Sequence, residues 1–209
     1  IGIVLSTTGY TEPDDLLRDA DIAMYRAKAR GRDAFEIFDP DMREKIMNRL
    51  ALETELRLAY ERQEFQVFYQ PILSLQDGNF LGFEALVRWK SPTRGLVSPA
   101  EFIGVAEETG LILRIDRWVL REACRQVCQW QRTFPGLSPL RISVNMSSMQ
   151  IFQPDWLEFV DQATRETGLD PSYLSLEVTE SAVMENHLRT IETLEALRQR
   201  GIQVQVDDF

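Results

Sequence analysis

Phe83-Glu84-Ala85-Leu86-Val87-Arg88-Trp89 is the stretch on which the fold turns, because it alternates a wet face with a greasy one. Successive side chains of an extended strand point to opposite sides, so Glu84, Leu86 and Arg88 share one face while Phe83, Ala85, Val87 and Trp89 share the other. The same rhythm returns downstream. Ser143, Asn145 and Ser147 oppose Ile142, Val144 and Met146; Glu177 and Thr179 oppose Leu176 and Val178; Gln203, Gln205 and Asp207 oppose Val204 and Val206.

Between these strands lie stretches of helical spacing. Strand signals at 65–75, 80–89, 140–147, 173–179 and 202–208 are interleaved with helical signals at 99–109, 114–133, 154–167 and 184–200. That order predicts an α/β fold with a parallel sheet and helices outside it. Toward the N-terminus, Ile1 to Ser6 alternates weakly and a turn-rich Thr7 to Pro13 follows; Asp14 then caps a helix reaching Ala29. Gly31 ends that helix, Phe35, Ile37 and Phe38 form a short apolar strand, and Asp39-Pro40 marks a turn. The reading is therefore a first segment at 1–39, a connecting amphipathic helix at 40–64 and a main domain at 65–209.

The totals set outer limits. A chain of 209 residues with 44% hydrophobic and 27% charged residues can bury a sizeable core. Its longest apolar stretches, Ile1 to Leu5 and Phe65 to Leu75, fall far short of the roughly 20 apolar residues a membrane helix needs. No membrane segment and no secretory signal is read, so cytoplasmic is the default location. A formal charge of −10 argues against broad binding to DNA or RNA polymers, whose affinity rests on Lys and Arg at phosphates. Cys124 and Cys128 lie four apart in a helical pattern and are read as core thiols; His187, the lone histidine, is read as a surface residue.

Chemistry concentrates where four strands end. Glu84, Asn145, Glu177 with Glu180, and Asp207 with Asp208 each stand near a strand's C-terminal end. Taken singly, each is a solvated edge residue or a turn cap; together, embedded in apolar strands, they read as a site. In a barrel of parallel strands such groups converge at the C-terminal rim. Carboxylates so gathered raise one another's pKa unless a cation intervenes. An all-oxygen set without His or Cys favours Mg2+ or Mn2+, and the Asp207-Asp208 pair suits two ions about 3.5–4 Å apart. Glu180 falls opposite Glu177 by period two and reads as supporting the site. Gln70 shares a face with Gln66 and Phe68 and either lines the site or satisfies backbone groups.

These residues carry a family resemblance. Tyr69-Gln70-Pro71, Glu84-Ala85-Leu86-Val87-Arg88-Trp89, Ser143-Val144-Asn145-Met146-Ser147, Glu177-Val178-Thr179-Glu180 and Asp207-Asp208-Phe209 stand in the order of the EAL family. Pro99 to Gly110 also resembles the helix that follows the signature strand. The resemblance covers residues 50 to 209 and implies a (βα)8 TIM-like barrel that hydrolyses cyclic di-GMP to linear pGpG with Mg2+ or Mn2+. It implies that Glu84, Asn145, Glu177 and Asp207 are metal ligands, with Asp208 also at the metal centre, and that Leu86 and Arg88 contact the dinucleotide. Glu180 would support a loop beside the site. Family analogy also implies a homodimer.

The front segment resembles a second family. Asp19-Ala20-Asp21, Ala23-Met24-Tyr25, Ala27-Lys28, Gly31-Arg32 and Phe38-Asp39 match the closing helix and strand of a GGDEF domain, without the loop that would bind GTP. In the EAL family a regulatory loop, a catalytic lysine strand and a later glutamate ligand follow the Asp-Asp-Phe motif. The expectation is thus an incomplete barrel whose 209 residues alone turn over little substrate. Two other readings stay open: a receptor or scaffold that binds the dinucleotide without turnover, and a glycosidase-like barrel with two carboxylates. The second leaves Asn145 and the Asp207-Asp208 pair unexplained.

Overall fold

The computed structural model describes residues 1–5, 10, 12–29, 34–137, 140–179, 184 and 187–207. The chain divides into two compact units, Ile1–Glu55 and Leu56–Phe209.

In the first unit β1 (Gly2–Ile3) pairs in parallel with β2 (Glu36–Ile37), and α1 (Pro13–Ala29) is the crossover between them. Asp14 and Asp15 occupy the first turn of α1 and Arg26 and Lys28 the last, each sign matched to the helix dipole. A Cβ on Gly2 would lie 2.1 Å from the Ala20 carbonyl oxygen, so only glycine lets β1 lie this close to the helix. The buried Asp19, 1% exposed, accepts two hydrogen bonds from Arg43 at 2.6 and 2.9 Å and one from the Tyr10 hydroxyl at 2.7 Å. Arg43 belongs to α2 (Pro40–Glu61), whose first turns are thereby tied to α1. The division between units falls within α2, beyond the turn at Asp39-Pro40.

The second unit is built on a six-stranded sheet. Its strands are β3 (Phe65–Leu73), β4 (Phe80–Ser91), β5 (Gly95–Val97), β6 (Arg141–Asn145), β7 (Leu174–Thr179) and β8 (Gln203–Asp207), in the order β3-β4-β6-β7-β8 with β5 beside β4. The pairs β4–β6, β6–β7 and β7–β8 are parallel, as the alternation of elements predicts. β3 departs from that pattern and runs antiparallel to β4. The physical reason is the connection: Ser74 to Asn79 closes as a turn, Ser74 N–H to the Asn79 carbonyl at 2.8 Å, whereas a parallel crossover needs about a dozen residues or more. β5, also antiparallel to β4, was not expected from the sequence.

The helices cover one face of this sheet. α3 (Pro99–Glu108) starts with Pro99 in its first turn and Glu101 reaching back to accept from the Ser98 N–H at 3.3 Å. α4 (Ile112–Thr133) buries an apolar stripe and packs on β6 and on α6 (Trp156–Thr167); a short α5 (Ser148–Ile151) and α7 (His187–Gln199) complete the set. Ala85, Ile142, Val144, Leu174, Leu176 and Val178 are buried on the face toward them. Each fully buried Leu or Ile there contributes about 1.5–3 kcal/mol by leaving water. Phe65, Trp89, Phe102 and Trp118 pack ring against ring at centroid distances of 5.8–6.4 Å at the end of the sheet where β4 finishes. Gly82 permits the close approach of β4 to β6, since a Cβ there would lie 2.1 Å from the Arg141 carbonyl oxygen. Among the described residues no helix is long and apolar enough to cross a membrane. Cys124 and Cys128 are free and buried in α4, and burial pushes the Cys124 thiol up to about 12, the behaviour of core thiols.

Candidate active site

The opposite face of the sheet is the polar one, and the register sets its rows. Along β4–β6, Glu84 is the partner of Ser143; along β6–β7, Asn145 is the partner of Glu177; along β7–β8, Glu177 is the partner of Gln205 and Thr179 of Asp207. Across the antiparallel pair, Gln70 stands opposite Glu84 and Phe68 opposite Leu86. Because side chains alternate, Phe68, Gln70, Glu84, Leu86, Ser143, Asn145, Glu177, Thr179 and Gln205 lie on one side of the sheet.

One contact among them joins two of the expected metal ligands. Asn145 donates through Nδ2 to Glu84 Oε1 at 2.9 Å, across a sequence separation of 61 residues. The end of β6 is pinned beside it, since the Met146 N–H donates to the Glu177 carbonyl at 2.8 Å. A cavity of about 250 Å³ opens at this edge, and its lining includes Leu86, Arg88, Asn145, Ser147, Glu177 and Thr179. Arg88 donates to the Val87 carbonyl at 2.8 Å, and its guanidinium lies 5.7 Å over the Phe68 ring. Gln70 is exposed on β3 and does not line that cavity.

One residue of the cavity wall was missed by reading the sequence. Asp116 sits in the buried stripe of α4, 9% exposed, between Ile115 and Val119. Its Oδ2 accepts from the Ser147 N–H at 3.2 Å and from the Ser147 hydroxyl at 2.5 Å. Burial pushes its carboxyl up to about 7, the two bonds from Ser147 pull it back, and the nearby Glu107 charge raises it further. An acid at helical spacing inside an apolar stripe was the available signal.

Other expected residues are only partly in view. The backbone of Asp207 ends β8, while its side chain lies outside the described residues, as do Glu180 and Asp208 entirely. Among the described residues no three His, Cys, Asp or Glu side chains group closely enough to hold a metal ion. What does assemble is a carboxylate and an amide in contact, with Glu177 on the strand next to Asn145. These are hard oxygen donors without imidazole or thiolate, and such a set fits Mg2+ or Mn2+ better than zinc.

A carboxylate and an amide in contact on one face of a parallel-rich sheet, with an arginine at the same end, leave the family open. The comparisons with known proteins narrow it: residues 53–209 match the model of the EAL domain, and the chain belongs to that family. An uncharacterized signaling protein of Caulobacter vibrioides is 42% identical over 203 residues, 94% of this chain and 24% of that protein. The cyclic di-GMP phosphodiesterase NbdA of Pseudomonas aeruginosa is 38% identical across 100% of this chain and 26% of its own length. Among solved structures, the MucR phosphodiesterase of P. aeruginosa in complex with cyclic di-GMP superimposes with a TM-score of 0.72 at 40% identity, covering 76% of this chain and 64% of that one. The chain thus spans about a quarter of the length of these two curated relatives.

Proposed function

We propose that this chain is the part of a cyclic di-GMP phosphodiesterase that holds its divalent ions, acting in second-messenger signalling and releasing linear pGpG. The observation that carries the proposal is the hydrogen bond from Asn145, the last residue of β6, to Glu84 on the adjacent parallel strand β4, with Asn145, Arg88 and Glu177 lining one cavity. The names of relatives aligned along the whole chain support it. Glu84, Asn145, Glu177, Asp207 and Asp208 would hold Mg2+ or Mn2+. Such ions supply a strengthened nucleophile from water and neutralise charge developing on the phosphate.

The chain's own residues bind and orient. Arg88 offers a planar fork to phosphate oxygens, pre-set by its contact with the Val87 carbonyl and the Phe68 ring. Asn145 fixes the rotamer of Glu84 through Oε1, which leaves Oε2 for a cation. Leu86 and Gln70 stand on the same face for contact with the dinucleotide, and Glu180 steadies the chain after β7. In the same reading the sheet closes into a (βα)8 barrel in the full-length protein, the protein is cytoplasmic and homodimeric, and residues 1–39 are the closing portion of a GGDEF domain. The parallel β1–α1–β2 unit is what supports that last assignment.

Incubating the full-length parent with cyclic di-GMP and Mg2+ or Mn2+ tests the reading. Linear product should appear with the parent, fall at least about 100-fold in Glu84→Ala and in Asp207→Ala, and vanish with EDTA. Binding of cyclic di-GMP with no product would make the protein a receptor, and equal product from all three proteins would remove the site.

A further inference from the structure

The buried stripe of α4 reads Ile112, Ile115, Asp116, Val119, Leu120 and Ala123, apolar at every position except one. Valine would fill that space without the several kcal/mol that a desolvated carboxyl costs, so the acid needs a reason. Among the described residues no cation pairs with it; the groups that act on it are Ser147, through its hydroxyl and its N–H, and Glu107, whose charge opposes ionisation. Both donated bonds come from one residue.

That residue sits at a decisive place. Ser147 is two residues beyond Asn145 and is the N-cap of α5, where the chain leaves β6 and turns. The turn is clamped from two sides: Met146 N–H is held by the Glu177 carbonyl of β7, and Ser147 is held by Asp116 of α4. Asn145 projects from this clamp to Glu84 on the third element, β4. β4–β6 pairing stops at Ala85 and Val144, one residue short of Asn145, so the ladder between those two strands does not itself fix the amide. The β6–β7 ladder holds the Asn145 backbone opposite Glu177, and the clamp holds the turn that follows it.

We infer that Asp116 is a positioning residue for the metal centre: by holding Ser147 it sets the direction of the chain at the end of β6 and keeps the Asn145 amide on Glu84. This rests on the metal-dependent reading proposed above. Asp116 touches neither ion nor substrate and acts only through Ser147. Outer groups of this kind typically change metal affinity about 10–100-fold when removed.

Titration of the full-length protein with Mn2+ alone, followed by the electron paramagnetic resonance signal of the free ion, tests the inference. Wild type, Glu84→Ala, Asp116→Asn, Ser147→Ala and the Asp116→Asn/Ser147→Ala double variant are compared below their melting transitions. Ser147→Ala and Asp116→Asn should each weaken Mn2+ about 10-fold, the double variant no more than the worse single one, and KM for cyclic di-GMP at saturating Mn2+ should stay within about 2-fold of wild type. Thermal midpoints that drop while Mn2+ affinity is unchanged would reduce Asp116 to a packing residue and overturn the inference. Should Asp116→Asn fail to fold, Ser147→Ala, which leaves the core of α4 intact, decides in the same way. Wild type that binds no Mn2+, or binds it as Glu84→Ala does, would remove the metal-centre reading and this inference with it; normal binding by wild type with indifferent variants removes the inference alone.

Discussion

Two aspartates, one in each compact unit, expose little surface to solvent and behave oppositely. Asp19 is 1% exposed and Asp116 9% exposed. For Asp19, burial favours the neutral acid, but the hydrogen bonds from Arg43 and Tyr10 and the charges of Arg43 and Arg18 outweigh it and hold the carboxyl below its usual range. Among the described residues Asp116 meets no arginine, only the serine hydroxyl and amide as donors, and burial wins. The lesson is that depth and partner act together: Asp116 lies deep among neutral donors and rises, whereas Asp19 lies shallower beside guanidinium groups and falls. A carboxyl neutralised by a guanidinium ties helices together, whereas one held by neutral donors stays poised to change charge near pH 7.

The contrast can be broken, and removing the guanidinium should do so most severely. In Arg43→Ala, Asp19 loses its nearest cation and keeps the more distant Arg18 and the Tyr10 hydroxyl; thermal unfolding should show a midpoint lowered by about 5 °C at pH 7, with part of the loss regained toward pH 5. The sign follows from linkage. A depressed folded pKa gives wild-type Asp19 a contribution present above its unfolded value and lost as pH falls, and stranding the carboxyl reverses that slope. No such reversal, with an unchanged midpoint, would mean the ion pair is idle.

Asp116 offers the opposite and smaller test. Its folded pKa of about 7 lies above the ordinary carboxyl value of 3.8, so its contribution is fully present below about 4 and declines as pH rises through 7. Denaturant titrations at pH 5 and pH 8 should therefore show a pH-dependent decline in wild type that flattens in Asp116→Asn. An identical slope in both would say that Asp116 does not titrate in the folded protein. Smallest of the three is Ser147→Ala: losing the hydroxyl removes one of the bonds that lower the carboxyl, so the pH window should move upward by a few tenths of a unit. The carboxyl resonance of Asp116 reports that shift by NMR.

Much of the architecture was legible because period two and period 3.6 are written in the residue types. β4, β6, β7 and β8 lie within a few residues of where alternation placed them, and α3, α4 and α6 where apolar spacing did. The wet face of each strand, and hence the meeting of Glu84 with Asn145, followed from the same alternation once the strands were parallel neighbours. Orientation was less legible. Alternating residues in β3 are equally compatible with either direction, and the shortness of the turn at Ser74 to Asn79 was the clue that settles it. β5, Gly95–Val97, is too short for a pattern of its own. Asp116 escaped because a search for acids at strand ends passes over an acid inside a helix; its meaning comes only from Ser147, distant in sequence and adjacent in space.

The hydrogen bond between Asn145 and Glu84 has a consequence for how function fails. It closes a loop of 61 residues, whereas β3 and β4 meet across a tight turn. Closing a longer loop costs more chain entropy, by about 0.6 kcal/mol for each doubling of its length, and that cost is recovered only when β6 docks. Because Asn145 lies one residue beyond the β4–β6 pairing, its amide can let go while the paired strands stay together. Heat or mild denaturant would then open this contact before the circular dichroism changes, which makes a local probe at Asn145 the earlier alarm.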